Sequence, residues 1–152
     1  MRFKLPVAGA HYDFGEKFGA DEATAVELLK AAVVLGYQPA ISFHPGTQCE
    51  DPAAWVAYIH AAAEVAQRAG VRLARLNVGG GFPAHRGRAA PELERIFTAI
   101  AEATRSAFGG TPPALVCEPG RAMVAEAFTL AARVKAVRAD GRVYLNDGLY
   151  GG

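Results

Sequence analysis

The chain has 152 residues, 51% of them hydrophobic and 20% charged, with a formal net charge of +1. That composition fits one globular domain with a real core. It gives no bulk attraction to nucleic acid or an anionic membrane, no apolar run reaches the roughly 18 residues of a membrane helix, and Met1-Arg-Phe-Lys-Leu-Pro6 lacks the apolar stretch of a leader.

Cytoplasm is therefore the expected location, and Cys49 and Cys117 make no disulfide framework. In chain order, Arg2–Val7 reads as a short strand, followed by a polar loop through Lys17-Phe18-Gly19. Asp21 is an N-cap for a helix over Glu22–Leu35, with Val26, Leu29, Val33 and Leu35 near helical spacing and Gly36 as the stop. A strand over Pro39–Phe43 leads to the loop His44-Pro45-Gly46-Thr47-Gln48. Asp51, with Pro52 at the first helical position, starts a second helix that Gly70 closes. Val71–Val78 is a third strand, Pro91–Phe108 a third helix and Ala114–Glu118 a fourth strand. Cys117, at the end of an apolar run, reads as a buried reduced thiol.

The order βαβαβαβ with mainly buried strands argues a parallel sheet. After Arg121 the rhythm changes. Phe128–Val137 and Arg142–Leu145 read as strands around an Asp140-Gly141 turn, the start of an antiparallel region beyond a boundary near 122–127.

Polar residues cluster where a parallel α/β fold binds ligands, just beyond the C-terminal ends of strands. His44 follows one strand, Gly79-Gly80-Gly81 another and Glu118-Pro119-Gly120-Arg121 a third. Three glycines allow close backbone approach, and bare N–H groups suit a phosphate. A carboxylate and a guanidinium near by suggest a phosphate-bearing cofactor with a second polar contact. Gly79-x-Gly81-x-x-Ala84 also fits a dinucleotide fingerprint formally, but that motif needs a helix opening at its third glycine. Here Phe82-Pro83-Ala84-His85 reads as loop, and no acidic strand end follows about twenty residues on.

Five strings in order carry a family resemblance: Lys17-Phe18-Gly19; Ser42-Phe43-His44-x-Gly46-x-Gln48; Asn77-Val78-Gly79-Gly80-Gly81-Phe82-Pro83; Glu118-Pro119-Gly120-Arg121; and Tyr144-Leu145-Asn146-Asp147-Gly148-Leu149-Tyr150-Gly151. The chain resembles the pyridoxal phosphate amino-acid decarboxylases with the alanine-racemase-type barrel, a group that includes ornithine, lysine and diaminopimelate decarboxylases. The last string is closest to the ornithine and lysine branch. The resemblance implies an α/β fold, the C-terminal half of a (β/α)8 TIM-type barrel over residues 1–124, with the start of an antiparallel β domain over 125–152. It implies a fragment of a full enzyme, inactive by itself. The cofactor-bearing lysine of the family lies upstream, and none of Lys4, Lys17, Lys30 or Lys135 sits in a comparable motif.

By the same resemblance the cofactor is pyridoxal 5'-phosphate. The substrate is a basic amino acid, ornithine or lysine, converted to a diamine as in polyamine biosynthesis. The full-length enzyme is a homodimer. Glu118 would pair with the pyridine nitrogen, Arg121 with the phosphate, and Gly80, Gly81 and Gly120 would offer it N–H groups. His44 would stack on the ring, the Thr47 hydroxyl would reach the phosphate, and Asp147 would face the distal ammonium of the substrate. Arg2 and Lys17 match supporting positions, with structural ion pairing an equal alternative. His11, His60 and His85 read as surface or helix residues. No metal site is expected. A cofactor-free regulatory homologue of ornithine decarboxylase, a diaminopimelate decarboxylase and a racemase remain alternatives.

Overall fold

The structure, a computed structural model, describes residues 1–8, 17–85 and 91–148. His11, Leu149, Tyr150 and Gly151 lie outside the described residues. Among the described residues four helices and five strands follow the order α1 (Glu22–Val34), β1 (Ala40–Ser42), α2 (Pro52–Ala69), β2 (Arg75–Asn77), α3 (Leu93–Phe108), β3 (Ala114–Val116), α4 (Arg121–Val124), β4 (Val134–Val137) and β5 (Val143–Leu145).

The helix starts follow local chemistry. Asp21 accepts from Thr24 N–H at 2.8 Å and Asp51 from Ala53 N–H at 2.9 Å, so each carboxylate satisfies an otherwise orphaned donor. Pro52 occupies the first turn of α2, and Gly70 closes it in the left-handed conformation at φ +69°. α3 begins at Leu93 rather than Pro91 and has no side-chain cap. In α1 only Ala25, Val26 and Leu29 are buried; Val33 and Leu35 face outward.

The strands are shorter than the apolar runs that contain them. β1, β2 and β3 pair in parallel in that order, with Ile41 opposite Leu76 and Leu76 opposite Leu115. The expected strand over Arg2–Val7 reduces to single parallel bridges of Arg2 to Ser42 and Phe3 to Ala20. The pairing goes no further because the Leu5 N–H and C=O are both taken by the Tyr58 hydroxyl, and Pro6 beyond it offers no N–H. The expectation of buried strands holds for Ile41 and Leu76 but fails at β3, whose three residues are all exposed. β3 is the sheet edge, and no described element covers its far side. Cys117 is likewise exposed, contrary to the buried-thiol expectation, whereas Cys49 is buried.

α2 lies between α1 and α3 and supplies most of the core. Trp55, Tyr58, Ile59 and Val65 pack with Phe3, Ile41, Phe43, Leu76, Val78, Ile96 and Ile100. Tyr58 stacks on Phe43 at 4.6 Å, and its hydroxyl receives Leu5 N–H at 2.9 Å while donating to Leu5 O at 3.1 Å. The Trp55 indole N–H donates to Val78 O at 3.2 Å and its ring stacks on Phe82. Two side chains one turn apart on α2 thus brace the chain just before His44 and just before the glycine triplet.

Beyond α4, β4 and β5 form an antiparallel pair around the Asp140-Gly141 turn, as expected, though β4 begins only at Val134. α4 was not legible: four residues carry no periodicity.

Candidate active site

The glycine triplet is where three strand-end loops meet. Gly79 and Gly81 hold φ at +72° and +81°, which other residues adopt only with strain. A Cβ at Gly79 would overlap Phe43 O, one at Gly80 would overlap Glu118 O, and one at Gly81 would overlap Gly46 O. The glycines therefore do two things. They let the β2 loop press against the loops after β1 and β3, and they leave N–H groups of Gly80 and Gly81 without acceptors among the described residues. The Gly120 N–H is in the same state, at φ +51°. Phe82–His85 is loop and α3 opens only at Leu93, so the dinucleotide arrangement is not built.

His44 lies against this crossing. Its Nε2 would be 3.2 Å from a Cβ at Gly80, and its Cε1 3.2 Å from one at Gly81. Its Nδ1 accepts from Gly46 N–H at 3.0 Å, which puts the neutral ring's proton on Nε2. Burial lowers its pKa, the positive charge of Arg2 adds to this, Glu118 opposes it and Arg121 lowers it further. The neutral imidazole is thus the favoured form near neutral pH. The charges of Arg2, Glu118 and Arg121 thus all act on one ring.

Glu118 stands just past β3. Its N–H donates to Gly79 O at 2.7 Å, and its carboxylate accepts from the Asn77 Nδ2 amide across the β2–β3 pair. The Asn77 amide oxygen in turn accepts from Gly79 N–H at 2.9 Å. The resemblance assigns Asn77 no role; its place at the end of β2, facing the end of β3, is the sequence signal for one. Arg121 opens α4 with its side chain exposed. Thr47 is half-buried in the His44 loop.

Arg2 and Lys17 do not pair with carboxylates among the described residues. Each places its cation 5.3 Å from the centre of the Phe18 ring. Asp147 stands apart: its carboxylate accepts from Gly148 N–H at 2.9 Å, a local contact beyond β5. His60 is exposed on α2, and His85 pairs with Glu126 at 2.8 Å. No group of three or more metal-ligating side chains exists among the described residues. None of their helices is long and apolar enough to cross a membrane.

Residues 1–125 match the family model for the pyridoxal binding domain of pyridoxal-dependent decarboxylases. The chain is 33% identical to ornithine decarboxylase 2 of Drosophila melanogaster over 99% of its own length and 41% of that protein's. Its fold matches the arginine decarboxylase of Paramecium bursaria Chlorella virus, solved bound to agmatine, with a TM-score of 0.74 and 29% identity over 99% of this chain and 42% of that one. It also matches the lysine/ornithine decarboxylase of Vibrio vulnificus, solved with putrescine, at TM-score 0.68 and 29% identity over 91% of this chain and 40% of that one. The chain thus spans about two fifths of the length of each of these proteins.

Proposed function

The chain belongs to the pyridoxal-dependent decarboxylase family, and from that premise we propose that it forms the phosphate-and-ring half of an active site that removes the α-carboxylate from a basic amino acid, ornithine or lysine, leaving a diamine. The observation that carries this reading is the Glu118–Asn77 clamp beside His44 and the glycine crossing. Donors without acceptors and a fixed carboxylate within one cluster fit a ligand with a phosphate at one end and a basic nitrogen at the other.

Pyridoxal phosphate, when bound, supplies the electron sink for decarboxylation. The chain's residues bind and tune it. Arg121, the N–H groups of Gly80, Gly81 and Gly120, and the Thr47 hydroxyl would hold the phosphate, a planar guanidinium and backbone donors being suited to its oxygens. Glu118, held by Asn77, would keep a proton on the pyridine nitrogen. The neutral His44 ring would lie on the cofactor's face without adding a second positive charge. Asp147 would meet the distal ammonium of the substrate. The division into a partial barrel, 1–124, and the start of a β domain, 125–152, belongs to the same proposal, as does a homodimer of the full-length enzyme.

The test is carbon dioxide release from ornithine, lysine and arginine by the full protein, with cofactor uptake followed by absorption. Glu118→Gln is expected to lower decarboxylation by at least about a hundredfold, the scale of losing one preorganised charge contact, while cofactor still binds. Full activity in that variant, or no uptake of pyridoxal phosphate by the wild type, would falsify the reading.

A further inference from the structure

We propose that Gln48 is a positioning residue for the phosphate cradle: its side-chain amide locks the β1–α2 loop to the β2–α3 loop and so sets where the Gly80 and Gly81 N–H groups point. The functional consequence rests on the cofactor reading above; the lock itself does not. Gln48 is a buried polar side chain, 7% exposed, at the bottom of the His44 loop. Its Nε2 donates to Ala84 O at 3.1 Å and its Oε1 accepts from Ala84 N–H at 2.9 Å. Both donor and acceptor of one backbone unit are thus met by one amide, as a neighbouring strand would meet them. A rotation of the amide by half a turn would break both bonds at once, so the complementarity fixes its orientation.

Two further observations give the lock a direction. Cys49 N–H donates to Gly81 O at 2.9 Å, so the lock and the last glycine are joined on both sides of the same short segment. Gln48 is also the one non-glycine residue at positive φ among the described residues, at +50°. A glycine would take that conformation without strain. A long polar side chain is held there instead, and its two side-chain hydrogen bonds go to Ala84 in the segment that follows the triplet. The chain spends backbone strain to place an amide against Ala84. The triplet is thus held at one end by the close approach of Gly79 to Phe43 O and at the other by this lock.

The test compares Gln48→Ala and Gln48→Gly with the wild-type full protein. Glycine removes the strain as well as the amide, so it separates the side chain from the turn. Amide hydrogen exchange of the ligand-free protein reads the lock directly: Ala84, whose N–H is bonded to Gln48, and Cys49, whose N–H is bonded to Gly81 O, exchange faster in both variants, while α1 and α2 are unchanged. Affinity for pyridoxal phosphate falls by about tenfold in both variants, the scale of losing a buried amide contact, whereas affinity for pyridoxal, which lacks the phosphate, stays within about twofold. Unchanged exchange at Ala84 and Cys49 overturns the lock. Equal losses for the two ligands, or recovery of phosphate selectivity by glycine, overturn its role in the cradle. A wild type that binds neither ligand overturns the cofactor reading instead, and the exchange experiment still decides the lock.

Discussion

His44 combines three local facts that a sequence cannot hold together: a ring half-buried against glycines, a proton assigned by Gly46 N–H, and two guanidinium groups nearby. Its depressed pKa makes a stability statement. The unfolded imidazole takes up a proton near the ordinary value of 6.5, and the folded one resists it to lower pH. The unfolded state therefore binds more protons in the window just below 6.5. The stabilisation is fully present above that value and is lost as pH falls through the folded pKa. Thermal denaturation between pH 8 and 5 should show the midpoint of the wild type dropping more steeply than that of His44→Gln, which has no such proton to bind. Parallel curves would mean that burial does not hold the ring neutral. Cys49 shows the same physics in a thiol, raised to about 11 by burial and so inert, while exposed Cys117 is the accessible one.

Among the elements, α2 carries the most consequence, because its Trp55 and Tyr58 brace two of the three loops of the site. Its first turn hangs on Asp51. Asp51→Ala should lower stability by about 1 kcal/mol, the usual cost of losing an N-cap, and Asp51→Asn by much less. Urea denaturation of the two variants checks this; equal losses would show that charge and not capping matters. The start and stop of α2 were legible because Asp51, Pro52 and Gly70 act within one turn of themselves. The strand lengths were not. Leu73 and Val78 are apolar and buried like Leu76 between them, yet only Arg75–Asn77 has ladder partners on both sides. Apolar character reports burial, and pairing depends on where the neighbouring strands run, which lies elsewhere in the chain. The site followed the same division. His44, the glycines, Glu118 and Arg121 stood out by position after strands; Asn77 and Gln48 act through contacts 41 and 36 residues away and needed the fold.

The molecule as a whole is covered unevenly. Register puts Leu115 in line with the buried Ile41 and Leu76, but it is 44% exposed because nothing described lies beyond β3. Phe97 and Val116 beside it are exposed as well, and with Val78, Ile100 and Cys117 they line an apolar depression. The β4–β5 pair has no buried face: Val134, Val137, Val143, Tyr144 and Leu145 are all exposed. A two-stranded pair is marginal alone, and an open sheet edge with apolar neighbours is a template for association. These 152 residues expressed by themselves should therefore associate with rising concentration, and Leu115→Lys should shift them toward the monomer by placing a charge at the middle of the edge ladder. Sedimentation velocity over about a hundredfold range of concentration would read both, with the shift growing at low salt, where like charges repel further. A wild type that stays monomeric throughout would show that the edge is shielded; association that Leu115→Lys leaves untouched would move the contact to the β4–β5 region.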